Sequence, residues 1–310
     1  MSSPFPAAGI PPAIEQRIRT GGPVLDMADV RAIYDPLLAA QPRTGVRVLE
    51  NVAYGPDVRH RLDVYCPDPS KARHAPALLV FHGGGFVRGD KSERTNAGLR
   101  FARAGLVTFL CNYRLAPSNQ WPSGAEDVGR ALEWVKQHGA QHGADLSRIC
   151  LLGESAGATH VASAVLLRRF HPQSGLGIAG AVLVSGVYNV ELERKARRQF
   201  NVATPDPRNE AYFGSDFERY PELSIVDHID APPLPMLITY SELDLLQMQV
   251  QAGELFGRLV TRHGFSPALQ VIRGHNHLSQ FFSLNTGDES LSAPVLQFLR
   301  DYGIVDLASD

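Results

Sequence analysis

Six short stretches of this chain are almost continuously apolar: ALLVFH (77–82), LVTFLCNY (106–113), RICLLG (148–153), AVLVSG (181–186), PMLITY (235–240) and LQVIRG (269–274). A strand with one face in water alternates apolar and polar side chains. Runs without alternation belong to strands covered on both faces. Helical segments separate the runs. In SGAEDVGRALEWVKQH (123–138), Ala125, Val128, Leu132 and Val135 share one face at three- and four-residue steps. Pro122 and Ser123 supply start signals there, and Gly139 a stop. Residues 155–170 predict a second helix, apolar on most sides and so buried; 247–263 and 290–302 predict two more. Strands alternating with helices need right-handed crossovers, which build an α/β protein: a mostly parallel central sheet with helices on both faces.

Three parts of the chain depart from this rhythm. VRVLENVAYG (46–55) and HRLDVYCP (60–67) do alternate, around a Gly-Pro-Asp break, and predict an antiparallel pair at one sheet edge. Residues 1–45 carry helix-like pieces, EQRIRT and MADVRAIYDPLLAA, before any strand. Residues 188–230 form a long, charged, Pro-rich connection between two strands, and connections of that length are usually functional, often lids.

Composition narrows the function classes. A net charge of −2 gives no reason to expect nucleic acid or an anionic membrane as partner. No apolar run approaches the roughly 18 residues of a membrane span, and MSSPFPAAGIPPA lacks the basic-then-apolar layout of a signal peptide. The expectation is a soluble, cytoplasmic protein. Cys66, Cys111 and Cys150 are an odd number without a CxxC pair, and are expected as buried free thiols.

The chemistry begins at GESAG (153–157), which follows the strand RICLLG and opens a helix. A serine between two glycines at such a seam is either a tight turn or a nucleophile elbow. A hydroxyl is a poor nucleophile near neutral pH, so the second reading demands a base, an acid to orient it, and N–H donors for the developing oxyanion. FHGGGF (81–86) directly follows a strand and offers a loop stripped of side chains; no Gly-Lys-Ser/Thr follows, which disfavours a phosphate loop. Asp244, just past the strand 235–240, is the candidate acid, with Glu242 as its rival, because catalytic groups gather at the C-terminal ends of parallel strands. The base is His275 or His277, in RGHNHLS. No cysteine or carboxylate cluster surrounds these histidines, so no metal is expected. The order Ser, Asp, His is that of the α/β hydrolases.

HGGGF (82–86), NYRLAP (112–117), GESAG (153–157), SELD (241–244) and GHNH (274–277) together resemble the hormone-sensitive-lipase-like esterases, close to bacterial esterases grouped with arylformamidases. The likeness covers roughly residues 45–300. It implies an α/β-hydrolase fold with a small helical cap. The cap would come from residues 1–45 and an insertion at about 188–230, and the catalytic domain would span 46–310. In that family the last motif is a glycine, two residues, then the catalytic histidine, so Gly274 points to His277. By the same likeness Ser155, Asp244 and His277 form the triad, and Gly84, Gly85 and Ala156 supply the oxyanion hole. The implied activity is a carboxylesterase of small or short-chain acyl esters, without cofactor, with an arylformamidase or amidase, or a non-catalytic binding protein, as alternatives. Dimers are common in that family, so the resemblance implies a homodimer here. Asn112 stands where the family has aspartate, and Ser118 where an acidic residue is common.

Phe86 is the candidate substrate-pocket residue, since it abuts the glycine loop; Tyr212, Phe213, Phe281 and Phe282 read equally well as pocket or core. The basic cluster RKARR (194–198) reads as a solvated face, and His138 and His142 as a helix-end pair.

Overall fold

The computed structural model describes residues 9–23, 26–42, 44–68, 74–192, 195 and 207–305. Each apolar run is a strand. The strands are β1 (Val46–Ala53), β2 (Arg61–Pro67), β3 (Ala75–Phe81), β4 (Val107–Cys111), β5 (Ala144–Glu154), β6 (Gly180–Val184), β7 (Met236–Ser241) and β8 (Ala268–Ile272). They form one eight-stranded sheet in the order β1-β2-β4-β3-β5-β6-β7-β8. β2 runs antiparallel to both β1 and β4, and all other pairs are parallel.

The absence of alternation in the central runs has the cause expected of it. In β3, Ala77, Leu79 and Phe81 join one apolar layer while Leu78 and Val80 join the other. The first layer is closed by α4 (Ser123–His138), α5 (Ala156–Leu166) and α7 (Leu246–His263), through Val128, Leu132, Val161, Val165 and Leu255 among others. The second is closed by α3 (Thr95–Arg103) and α8 (Ser292–Asp301), through Phe101, Val295 and Leu299. The pattern of TNAGLRFAR had not marked α3 as a helix; nine residues with a central glycine give a weak signal, and its packing on the sheet supplies what propensity does not. Helix α4 ends at His138, but Gly139 keeps right-handed angles, and the left-handed turn that stops the chain is Gly143, at φ +91°.

Above the C-terminal ends of the parallel strands lie two further clusters. Helices α1 (Pro12–Gly21) and α2 (Met27–Ala39) bring Ile18, Val30, Ile33 and Tyr34 onto Phe282. Helix α6 (Pro207–Phe213) brings Tyr212 and Phe213 onto Phe86. Most of RKARR and of the middle of the 188–230 connection lies outside the described residues. All three cysteines are buried free thiols, and burial pushes those of Cys111 and Cys150 far above the usual thiol range.

Candidate active site

Strand β5 ends at Glu154 and α5 begins at Ala156, leaving Ser155 alone in the turn at φ +52°, ψ −116°. A non-glycine residue in this region is strained and needs its surroundings to hold it. Here the Ser155 N–H donates to the Val184 carbonyl at 2.8 Å, and the helix can pass this close to β3 only because position 157 lacks a side chain. A Cβ on Gly157 would collide with the Phe81 carbonyl oxygen. The turn puts the hydroxyl at the N-terminus of α5, where the helix dipole favours negative charge.

Facing it, Ser155 Oγ lies 3.0 Å from His277 Nε2, and His277 Nδ1 lies 2.8 Å from Asp244 Oδ1. Asp244 sits in the turn after β7 and is buried. Its Oδ1 also accepts from the Leu245 N–H at 2.9 Å, and its Oδ2 from Ser185 Oγ at 2.6 Å. The His277 loop is held from the N-terminal side: its N–H donates to the Pro23 carbonyl at 3.2 Å, and Asn276 Nδ2 to the Gly22 carbonyl at 2.9 Å. Burial alone would lower the imidazole's proton affinity. The charge and hydrogen bond of Asp244 outweigh it, with help from Glu154 and against Arg208, and hold the pKa of His277 above its ordinary 6.5.

The two rivals go elsewhere. Glu242 Oε2 accepts from the Gly274 N–H at 2.9 Å and faces Arg19 at 3.3 Å. That N–H bond, with Arg19 nearby, pulls its carboxyl below the usual range. His275 is buried with Nδ1 3.0 Å from Ser279 Oγ and Nε2 3.1 Å from Asp288. The structure therefore brings Ser155, Asp244 and His277 together and leaves Glu242 and His275 as loop braces.

The glycine loop folds against the same point. Glu154 Oε2 accepts from the Gly83 N–H at 3.0 Å, and its carboxylate is clasped by Arg94 at 2.5 and 3.0 Å. The loop then takes left-handed angles at Gly85 and Phe86, φ +60° and +71°. Among the described residues, the N–H groups of Gly84, Gly85 and Ala156 find no partner within the chain, and all three residues line a cavity of about 440 Å³ with Ser155 and His277. Asp26, Met27, Arg208, Asn209 and Met248 are among its other walls. Phe86 borders the cavity, but its ring is buried, stacked on Tyr212. Tyr212, Phe213, Phe281 and Phe282 are core rather than lining. Asn112 bridges the loop's far end: its Oδ1 accepts from the Lys91 N–H at 2.6 Å and its Nδ2 donates to Asp90 at 2.6 Å. His138 and His142 both stack on Trp134.

Ser185 and Gln280 carry no motif. Ser185 directly follows β6 at φ +51°, as Ser155 follows β5, and Gln280 Nε2 donates to its Oγ at 2.7 Å. Together they form a chain of donors ending on Asp244. Arg94 is likewise silent in the sequence, while its partner Glu154 stands inside GESAG.

A serine on such a strand-to-helix turn, above the C-terminal ends of a mostly parallel sheet, defines the α/β-hydrolase class. A family model described as the alpha/beta hydrolase fold matches residues 78–280, and the chain belongs to that family, in its hormone-sensitive-lipase-like branch. Among curated proteins it is similar to "Esterase LipI" of Mycobacterium tuberculosis, 41% identical over 111 residues, 36% of this chain and 33% of that protein. It is also similar to the "Probable isoprenylcysteine alpha-carbonyl methylesterase ICME" of Oryza sativa subsp. japonica, 32% identical over 275 residues, 82% of this chain and 64% of that protein. The matched part thus spans from a third to just under two thirds of these relatives' length. Among solved structures, "Bacterial Heroin Esterase" superposes with a TM-score of 0.72 at 27% identity, covering 94% of this chain and 97% of that one. Among the described residues no helix is long and apolar enough to cross a membrane.

Proposed function

We propose that this chain is a serine carboxylesterase. His277 takes the proton of Ser155 as Oγ attacks the ester carbonyl. The tetrahedral oxyanion then sits against the N–H groups of Gly84, Gly85 and Ala156. The protonated His277, steadied by the Asp244 carboxylate, gives its proton to the leaving alcohol. Water activated by the same imidazole clears the acyl-enzyme and restores Ser155. The observation that carries this reading is the unbroken chain from Ser155 Oγ through His277 to Asp244, at 3.0 and 2.8 Å, beside N–H donors without partners in the chain. The names of the similar proteins support the same reaction.

A cavity of about 440 Å³ lies toward the small end of ligand pockets, which run from about 300 to 1,000 Å³. That favours small or short-chain acyl esters. The N-terminal helices and the 188–230 connection act as the cap, since Asp26, Met27, Arg208 and Asn209 all wall the cavity. Residence in the cytoplasm is supported by the three unpaired thiols, and a homodimer by the family resemblance.

The test is a panel of p-nitrophenyl esters from acetate to palmitate, with N-formyl anilides and a Ser155→Ala control. Turnover of short esters, lost in the control, is the expected result. Activity on the anilide alone would make the enzyme an amidase. No turnover by folded protein would overturn the esterase reading.

A further inference from the structure

Phe86 poses a mechanical problem. It directly follows Gly85, and as a bulky residue at φ +71° it adopts an angle that side chains of its kind avoid. Its own bonding is modest: the carbonyl accepts from the Ala116 N–H at 3.0 Å. What grips the ring comes from elsewhere in the chain. The Tyr212 ring lies flat on it, centroids 4.6 Å apart and planes within 2°, with Phe213 edge-on at 5.2 Å and His160 edge-on at 5.5 Å.

Tyr212 is itself fixed at three points. Its hydroxyl accepts from the Gly124 N–H at the start of α4, at 3.2 Å. The same hydroxyl lies 3.3 Å from Nδ1 of His160, five residues along α5 from Ser155. Its carbonyl accepts from the Trp121 N–H at 2.9 Å. Burial holds His160 neutral, its pKa lowered to about 3. With the Gly124 N–H on the hydroxyl and His160 Nδ1 3.3 Å from it, a fixed polar chain runs from α4 through α6 to the nucleophile's own helix. One turn earlier on α6, Arg208 and Asn209 line the substrate cavity.

The geometry points to Tyr212 as a positioning residue of the oxyanion hole: by clamping Phe86 it holds the Gly84–Gly85 peptides with their N–H groups toward the cavity. This rests on the esterase reading and deepens it. The insertion then does more than wall the pocket. It sets the catalytic donors, and α6 links the cavity wall to the loop that stabilises the transition state.

A mere pocket wall would act on substrate binding; a misaligned oxyanion hole acts on the transition state. The experiment compares wild type, Tyr212→Phe and Tyr212→Leu on p-nitrophenyl butyrate. It adds the affinities for a trifluoromethyl ketone, which forms a hemiketal oxyanion on Ser155, and for the matching methyl ketone, which serves as the ground-state mimic. Tyr212→Phe keeps the stack and the backbone bond to Trp121 and cuts the two hydroxyl anchors. It is expected to lose about fivefold in kcat, and Tyr212→Leu about 100-fold, within the range of losing an oxyanion donor. KM and methyl-ketone affinity should stay within about twofold, and trifluoromethyl-ketone affinity should fall in step with kcat. Variants with wild-type kcat, or losses confined to KM or shared equally by both ketones, would overturn the clamp. If Tyr212→Leu fails to fold, Tyr212→Phe alone decides. A wild type that hydrolyses no ester in this assay would instead sink the esterase reading on which the clamp depends.

Discussion

Replacing Ser185 by alanine is expected to slow the enzyme without touching substrate. Its hydroxyl donates to Asp244 Oδ2 over 2.6 Å and accepts from Gln280 Nε2 over 2.7 Å. It is the only side-chain donor besides His277 that the carboxylate has among the described residues. A hydrogen bond to a buried charge is worth about 1.5–3 kcal/mol net. In the ground state Asp244 faces a neutral imidazole; in the transition state it faces an imidazolium and must sit in line with it. If about 2 kcal/mol of the lost bond falls on the transition state, kcat drops roughly 30-fold. KM should stay within about twofold, because Ser185 does not line the cavity. The left-handed angle of Ser185, φ +51°, offers a control. Ser185→Gly removes the same hydroxyl but relieves the backbone, so it should melt higher than Ser185→Ala and lose kcat to the same extent. Steady-state kinetics on p-nitrophenyl butyrate with thermal melts decide it. A Ser185→Ala enzyme within twofold of wild-type kcat, or a Ser185→Gly enzyme restored to it, would refute the reasoning.

Only neutral His277 can accept the serine proton, so kcat/KM should rise with pH to a plateau, with a midpoint above 6.5. Arg208 opposes protonation of His277, so Arg208→Gln should move that midpoint upward; an unchanged or lower midpoint contradicts the assignment. His82 and His160 are buried and lowered to about 3 by burial. The unfolded chain binds protons at these residues from about pH 6.5 downward while the folded chain does not, so stability present above 6.5 is lost as pH falls. The loss is about 1.4 kcal/mol per pH unit for each histidine. Urea titrations at pH 6.5 and 4.5 should show it, and flat stability across that interval would refute it. Gly157→Ala drives a methyl into the Phe81 carbonyl and should cost about 1–3 kcal/mol by overpacking, read as a lower urea midpoint.

How much of this was legible depends on where each residue's information resides. Five of the six parallel strands were readable because burial on both faces leaves an unbroken apolar run; β8, expected to be covered on both faces too, lies at the sheet edge with Ala268 and Leu269 exposed. The antiparallel edge was readable because β1 is exposed at five of its eight positions, while β2, expected to alternate as well, is buried at six of its seven. Ser155, Asp244 and the pair His275 and His277 stood out because each follows a strand in a residue type with reactive chemistry, and the family resemblance picked His277 from the pair. Asp244 is favoured over Glu242, two residues earlier in the same turn, because it stands further out from the strand end, and Asp244 is the one that meets His277. Ser185 and Gln280 act through hydrogen bonds 95 residues apart, and nothing local distinguishes that serine from any other at a strand end. Phe86 was expected at the substrate because it follows the glycines. Its backbone is there, but the ring turns into the core, where Tyr212 waits from a segment 126 positions later by residue number.

The ion pair beneath the elbow shows why a charged residue occupies a site where an apolar one would be cheaper to bury. Glu154 and Arg94 are both buried, and such a pair seldom stabilises more than a well-packed apolar substitute. Glu154, however, is bonded covalently to Ser155 and by hydrogen bond to the Gly83 N–H, so its carboxylate sets the distance between nucleophile and oxyanion loop. Glu154→Gln keeps an oxygen for Gly83 but strips Arg94 of its main charged partner, leaving, among the described residues, the Glu93 carboxylate at 3.7 Å and the Glu93 carbonyl at 3.1 Å. Breaking a buried pair in this way costs about 3–5 kcal/mol. Adding Arg94→Met removes the stranded charge and should recover most of that stability. If the pair served only to fill space, the double variant would also recover activity. If it aligns the loop, stability returns while kcat stays at least about tenfold down, because the carboxylate that held Gly83 is no longer itself held. Recovery of both together in urea titration and ester turnover would show that the charge at position 154 does nothing that an apolar pair could not.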